Sequence, residues 1–526
     1  MNAPRQPTHR PTHRPTHRPT HRPNILIVMA DQLTPRALAA YGNRVTRTPH
    51  LDRLAAQGVV FDSAYCNSPL CAPARYSLMT GLPPSVHGGY DNAAALSPEA
   101  LTFGHYLRHA GYRTILAGKM HFIGADQLHG FEERLTTDIY PADFTWTPDW
   151  EQPHVRPDWY HNMASVADAG PCVRTNQLDF DDEVVHATRQ KLFDLARDPD
   201  GRPFCLTVSL THPHDPYAIS RDYWDLYRDD DIDPPRVPGT PDHEDAHSRR
   251  LRDVIDIARA PVDAGQARTA RRAYYGAISY VDEQVGKLLR TLEETGQAQD
   301  TVIVFTSDHG DMLGERNLWY KMTFFEPSAR VPLIVHAPDR FAPRRVAESV
   351  SHVDLLPTLL DLASAGAPLE PGGRSLLPHL EGAGGHDEVA AEYTAEGALA
   401  PIVMLRRGPY KYVHSPADPE QLYHLADDPD ELRNLAAEPG RHAGALASLR
   451  ADAARRWDLA SLHRRVLASQ RRRRLIGTAN ALGARHAWDY EPPRDASRQY
   501  IRSHLDLDSL EARARFPSLT GERKPR

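Results

Sequence analysis

Five short apolar runs rich in β-branched residues recur along the chain with helix-period sequence between them: Asn24 to Met29, Arg113 to Ala117, Phe204 to Leu210, Thr301 to Thr306 and Val331 to Val335. Runs that are apolar at consecutive positions suit strands buried on both faces. Their alternation with helices predicts an α/β fold, a large mixed, mostly parallel sheet sandwiched by helices. Two of the helices have legible ends. One spans Pro49 to Gln57 and stops at Gly58, a C′ glycine before the apolar run Val59-Val60-Phe61; the other spans Ala267 to Glu294 and stops at Gly296.

The residues just past these runs are the ones that carry chemistry. Asp31-Gln32 follows the first, Lys119 and His121 the second, His212 and His214 the third, and Asp308-His309 the fourth. Ligands of open α/β sheets bind at the carboxyl ends of the strands, so four separate segments are predicted to converge on one rim. Each has a plainer reading: Asp308-His309-Gly310-Asp311 as a turn or helix cap, the histidines of Thr211-His212-Pro213-His214-Asp215-Pro216 as parts of a proline turn, Lys119 and Lys321 as solvated lysines. Those readings would have to hold independently at four strand ends.

Composition narrows the function classes. The 526 residues carry a net charge of -7, with 62 basic and 69 acidic residues interspersed, which gives no support for a nucleic-acid partner. The run Arg471 to Arg474 reads as a solvated helix face or a subunit contact. No window is apolar for long enough to span a bilayer, and the N-terminal residues lack the apolar core of a secretory signal, so a cytoplasmic enzyme without a membrane partner is expected. Residues 7–22 are four copies of Pro-Thr-His-Arg, and residues 1–22 are expected to form a disordered tail. The four cysteines, Cys66, Cys71, Cys172 and Cys205, are too few and too scattered for a disulfide framework.

Residues 23–384 are expected to form the catalytic domain, and the pattern changes after them. Ile402 to Arg407 and Tyr410 to His414 flank a Gly408-Pro409 turn as a hairpin, and one long helix is expected from about Pro439 to Arg474. Residues 385–476 read as a smaller α+β domain. Residues 477–526 read as an extended C-terminal tail whose Trp488, Tyr490, Tyr500 and Phe516 suit docking on its own or a neighbouring subunit.

The segment Cys71-Ala72-Pro73-Ala74-Arg75 resembles the C-x-P-x-R signature of the type I sulfatases of the alkaline phosphatase superfamily. In that family a maturation enzyme oxidises the cysteine to formylglycine, an aldehyde that hydrates to a gem-diol nucleophile. The resemblance covers nearly everything from Pro23 onward. Asn24 to Gln32 is similar to the family's opening strand and metal aspartate, Thr48-Pro49-His50-Leu51-Asp52 to its T-P-x-L-D helix start, Gly118-Lys119-Met120-His121 to its G-K-x-H motif, and Leu422 to Leu435 to its C-terminal motif.

Hydrolysis of a sulfate monoester needs a nucleophile, a cation and an acid for the departing alkoxide. Asp31, Gln32, Asp308 and His309 would give a hard divalent cation mostly oxygen ligands, calcium first and manganese or magnesium as alternatives, with the hydrated aldehyde of residue 71 beside it. Arg75, Lys119 and Lys321 are candidates to stabilise the sulfuryl oxygens, His214 or Lys321 to protonate the leaving group, and His121 to act as base. Gln32 departs from the second aspartate that many members carry, which makes the site less negative.

A narrower resemblance selects a substrate. Asn67 to Pro73, Gly89 to Ala94, His129 to Pro141 and Leu510 to Pro517 resemble the choline sulfatases. The resemblance implies hydrolysis of choline O-sulfate to choline and sulfate, a formylglycine-generating enzyme as partner, and a homo-oligomer, dimer or tetramer, whose C-terminal tail reaches a neighbour. It also implies Trp146, His161 and Glu396 around the quaternary ammonium and Asn92 on the sulfate. A cation without N–H groups needs aromatic faces and carboxylates. Trp146 and Trp150 packing a small core of their own is the plainer reading. Two other functions stay open: a phosphonate monoester or phosphodiester hydrolase using the same nucleophile, and a non-catalytic sulfate-ester binder if Cys71 is never oxidised.

Overall fold

The computed structural model describes residues 22–140, 142–198, 200–240, 244–370, 372–484, 487–492 and 515–517. The Pro-Thr-His-Arg repeats up to residue 21, Tyr500 and residues 510–514 lie outside the described residues.

Nine strands form one sheet: β1 (Asn24–Ala30), β2 (Val59–Tyr65), β3 (Arg113–Gly118), β4 (Glu133–Arg134), β6 (Phe204–Ser209), β8 (Thr301–Ser307), β9 (Arg330–Val331), β10 (Leu333–His336) and β11 (Arg344–Ser351); a separate short pair joins β5 (Gly170–Cys172) to β7 (Ala218–Ser220). The strand order is β11-β2-β10-β8-β1-β6-β3-β4, with β9 paired to β2. β8, β1, β6, β3 and β4 run parallel, while β10 is antiparallel to both β8 and β2. Parallel β8, β1, β6 and β3 bring their carboxyl ends to one edge, which is where the chemistry-bearing residues begin.

The sheet is buried on both faces, as the continuous apolar runs require. Along β1, Leu26, Val28 and Ala30 enter one core with the helices Asn176–Arg197 and Ala264–Glu294, whereas Ile25, Ile27 and Met29 enter the other with Cys71–Thr80 and Leu355–Ala363. The run Val331 to Val335 is two strands, because Pro332 has no N–H to give the ladder. Its carbonyl instead accepts the Thr306 hydroxyl at 2.9 Å.

A second, antiparallel sheet follows: β12 (Glu388–Tyr393), β13 (Ile402–Arg407), β14 (Tyr410–Ser415) and β15 (Asp418–His424), in that order. The expected hairpin is β13–β14. The single long helix expected beyond it is two, Ala443–Arg456 and Leu459–Asn480, since Asp458 starts a new helix by accepting the Ser461 N–H at 2.9 Å. At the join between the sheets, the buried Lys411 ammonium donates to Glu326 at 2.7 Å, Glu431 at 2.8 Å and the Phe324 carbonyl at 2.7 Å. In the tail, Trp488 stands edge-on to Phe144 at 4.9 Å and Phe516 to Phe193 at 5.7 Å.

Candidate active site

Cys71 is the first residue of the helix Cys71–Thr80, every residue of which is buried. A helix N-terminus favours negative charge, and two parallel strands bring an aspartate beside it, Asp31 from β1 and Asp308 from β8. The ligand atoms of Asp31, Cys71, Asp308 and His309 all lie within 4.8 Å of one another. Cys71 Sγ is 3.2 Å from His309 Nε2; it stands where the oxygens of a formylglycine side chain would be.

Several features fit a divalent cation at this cluster. Asp31 Oδ1 is a fully buried carboxylate oxygen with no hydrogen-bond partner among the described residues, and it faces His309 Nε2 at 4.0 Å. His309 Nδ1 lies 3.0 Å from the Gly310 carbonyl, so its N–H donates there and the Nε2 lone pair is left facing the cluster. Burial pushes the Asp31 carboxyl up, but Lys119, with His214 and Arg75, together outweigh it and hold the group below the usual carboxylate range. Gln32 Oε1 accepts from Lys321 Nζ at 2.6 Å, and its amide donates to Asp311 at 2.7 Å. A carbonyl oxygen has a second lone pair, so Gln32 remains suited to a hard ion.

The cations around the thiol divide into two roles. Arg75 is fully buried, with Nε on Asp308 at 2.9 Å, Nη2 on Asp31 at 3.1 Å, and Nη1 on the Lys119 carbonyl at 2.6 Å and Ser209 Oγ at 2.8 Å. It is occupied in fixing the two aspartates, where sequence reasoning expected a clamp on substrate oxygens. Lys119 Nζ reaches Asp31 Oδ2 and sits 4.5 Å from the Tyr140 ring centre. Lys321 Nζ donates to His214 Nε2 at 2.9 Å and lies 3.3 Å from His161 Nε2. Burial raises the Cys71 thiol, yet Lys119, Lys321 and His309 together draw it well below the ordinary value.

His121 and His214 differ in how they are held. His121 is 2% exposed, neither ring nitrogen meets hydrogen-bond geometry with a partner among the described residues, and the ring is near enough to Cys71 to help draw its thiol down. His214 donates from Nδ1 to the Asp215 carbonyl at 2.8 Å, which fixes the tautomer that turns Nε2 toward Lys321. Asp215, His161 and His214 form a second compact group, but the Lys321 ammonium already lies against both imidazoles, so the positive charge there is a lysine.

Asn92 Oδ1 accepts the Ala72 N–H at 3.0 Å, so it is fixed to the start of the Cys71 helix. Trp146 stands edge-on to His121 at 6.1 Å and stacks on Trp159 at 6.5 Å. Trp150 instead is buried, its indole N–H donating to the Ala395 carbonyl at 3.1 Å. Glu396, one residue later, is buried; burial and then Asp91 raise its carboxyl to about 7.

Sequence reasoning missed the residues that support this group. Asp181 accepts the backbone N–H groups of Thr211 and His212 at 2.6 and 3.0 Å, and Asp138 those of Met120 and His121, both at 2.9 Å. His247 Nε2 lies 2.7 Å from the Met322 carbonyl, beside Lys321. Asp138 alone carried a signal, since it falls in the stretch His129 to Pro141 singled out by resemblance.

Comparison with known proteins agrees with this geometry. The family profile "Sulfatase" matches residues 23–365, and "Choline sulfatase enzyme C terminal" matches residues 464–516. The choline-sulfatase of Rhizobium meliloti (strain 1021) is 48% identical over 506 residues, 94% of this chain and 98% of that protein. A multifunctional alkaline phosphatase superfamily protein of Trinickia caryophylli is 30% identical over 399 residues, 68% of this chain and 77% of that one. The crystal structure of the phosphonate monoester hydrolase of Agrobacterium radiobacter superposes with a TM-score of 0.66 at 25% identity, covering 85% of this chain and 96% of that one. The chain belongs to the sulfatase family of the alkaline phosphatase superfamily, in its choline-sulfatase branch.

Proposed function

We propose that the protein hydrolyses choline O-sulfate to choline and sulfate. The observation that carries this reading is a buried carboxyl, Glu396, whose charge interacts with Lys321 and residue 71 at the sulfuryl-transfer cluster, together with the ring of Trp146 beside His121. A quaternary ammonium ester needs that combination of carboxylate and aromatic face at one end and a cation-rich cluster at the other. The choline-sulfatase of Rhizobium meliloti supports the same substrate by its similarity.

Formylglycine at position 71 and a divalent cation, calcium with manganese or magnesium as alternatives, supply the activated nucleophile. Asp31, Gln32, Asp308 and His309 would hold the cation, and Arg75 keeps the two aspartates aligned. Lys119 and Lys321 offset charge on the sulfuryl oxygens. Lys321 or His214 protonates the choline oxygen as it leaves; in this geometry Lys321 Nζ carries the proton and His214 Nε2 stands beside it as its hydrogen-bond acceptor. His121 takes the proton that must leave residue 71 when sulfate departs. Asn92 orients the sulfate; Trp146, His161 and Glu396 surround the ammonium.

The reading extends to the rest of the chain. Residues 23–384 act as the catalytic domain, 385–476 contribute Glu396 from a smaller one, and 477–526 serve as a tail at a subunit interface of a homo-oligomer. The enzyme works in the cytoplasm after a formylglycine-generating enzyme has oxidised Cys71. No described helix is long and apolar enough to cross a membrane, which accords with that location.

A second reading, a phosphonate monoester or phosphodiester hydrolase, is favoured by the likeness to phosphonate monoester hydrolases. Initial rates on choline O-sulfate, 4-nitrophenyl sulfate and a phenyl phosphonate separate the two. The ammonium site predicts kcat/KM on choline O-sulfate at least roughly tenfold above the phosphonate; fast phosphonate turnover with negligible choline O-sulfate turnover establishes the second reading instead.

A further inference from the structure

In the arginine run Arg471 to Arg474, which charge patterning alone reads as a solvated face or a subunit contact, three members are exposed and Arg473 alone is buried. On the helix Leu459–Asn480, Arg471 grips Glu151 with two bonds of 2.9 and 2.6 Å, Arg474 pairs with Asp149, and Gln470 Oε1 accepts the Trp150 N–H at 3.0 Å. At Gly477 the helix also lies against Phe144, where a Cβ would make an ordinary contact, 3.4 Å from the Phe144 carbonyl. All of these contacts fall on the aromatic insertion that carries Trp146.

Arg473 reaches further and is buried, at 6% exposed. Its two terminal nitrogens donate to both oxygens of the fully buried Asp91 at 2.6 and 2.7 Å, and Nη1 also donates to Thr147 Oγ1 at 3.2 Å. Ser469 Oγ accepts from Nε at 3.2 Å. Asp91 immediately precedes Asn92, and Thr147 immediately follows Trp146. One planar guanidinium is therefore bonded to the neighbour of the sulfate-facing residue and to the neighbour of the ammonium-facing residue. Both of those residues are independently tied to the catalytic centre, Asn92 through the Ala72 N–H and Trp146 through its edge-on contact with His121.

We propose that Arg473 is a positioning residue that sets the distance between the sulfate end and the ammonium end of the pocket, so that the helix Leu459–Asn480 tunes which sulfate ester fits. The proposal rests on the substrate reading given above. A rigid fork can hold two oxygens of one carboxylate and a hydroxyl at once; an ammonium on a flexible stem cannot reproduce that geometry. An ion pair that only stabilised the fold would affect all esters alike, whereas a spacer affects the ester that must reach both ends.

The test uses the full-length, formylglycine-containing enzyme with R473K and T147V, assayed on choline O-sulfate and on 4-nitrophenyl sulfate, alongside thermal unfolding. R473K is expected to raise KM for choline O-sulfate roughly tenfold while kcat, and both constants on the aryl ester, stay within about threefold. T147V removes the Arg473 bond together with the 2.7 Å bond that Thr147 Oγ1 donates to the Phe144 carbonyl, both of which hold the Trp146 segment, and is expected to raise the same KM by about threefold. It leaves the Asp91 pair intact, so it decides the matter where R473K fails to fold. An unchanged KM for choline O-sulfate in T147V, or equal losses on the two esters in either variant, overturns the spacer role. If the unmodified enzyme shows no preference for the ammonium ester, the substrate reading falls first and the proposal with it.

Discussion

Two buried cysteines five positions apart behave oppositely. Burial and Asp308 push the Cys66 thiol up, whereas Lys119, Lys321 and His309 reverse the effect of burial at Cys71. The difference lies in the strand-end residues converging on position 71, and those were legible because their residue types make little sense as core. Asp181 was not, and Asp138 was marked only by falling in the resembling stretch His129 to Pro141, since an aspartate whose partners lie 17 to 31 positions away has no local pattern. Glu396 gives a pH prediction. Its carboxyl rises to about 7, from 4.5, because the fold disfavours the charged form, so the carboxylate appears only as pH passes through about 7. A bound quaternary ammonium favours the ionised form. KM for choline O-sulfate should therefore fall as pH rises through this window, and E396Q should give a higher KM whose pH dependence there is flat. A wild-type slope that persists in E396Q assigns the titration to another group.

At the level of elements, the continuous runs of β1, β3, β6 and β8 were readable because strands buried on both faces leave no polar gaps. β11 was not, because Arg344, Arg345 and Glu348 interrupt it at the sheet's edge. The break between the two C-terminal helices was hidden by helix-forming residues on either side of Asp458, a cap that sequence periodicity alone does not expose. A tight element-level constraint next to the site is the turn out of β3. Gly118 has φ +98°, and a Cβ on it would stand 2.0 Å from the Ser209 carbonyl oxygen of the neighbouring β6. G118A is expected to destabilise the protein by about 2 kcal/mol or more, and to lower kcat by moving Lys119 off Asp31. Denaturant unfolding measures the first effect and steady-state kinetics the second; a variant with wild-type stability contradicts the close approach.

Across the whole molecule, three regions far apart in sequence build one site: the sheet edge carries the cluster, the turn after β12 brings Glu396, and the C-terminal helix holds Trp146 and Asn92 at their spacing. The first was visible in sequence order. The other two arise from tertiary packing, such as the Trp150 indole on Ala395 and Arg473 on Asp91, which no local pattern encodes. A cation held by Asp31 and Asp308 binds the folded state alone, so its removal weakens the protein globally. Chelation should abolish turnover and lower Tm, with a loss of about 3 kcal/mol for an ion previously at 100 times its Kd; readdition should restore both, and a chelated enzyme with unchanged Tm and full turnover argues against the metal cluster. Everything else depends on the state of residue 71. The most direct measurement is the mass of the tryptic peptide of residues 54–75 from fully active enzyme. Cys66 is expected as a thiol and residue 71 as the aldehyde, lighter by the difference between a CH2SH and a CHO side chain and reactive with a hydrazide probe. Full activity on choline O-sulfate from protein whose residue 71 is entirely unmodified thiol would contradict the account.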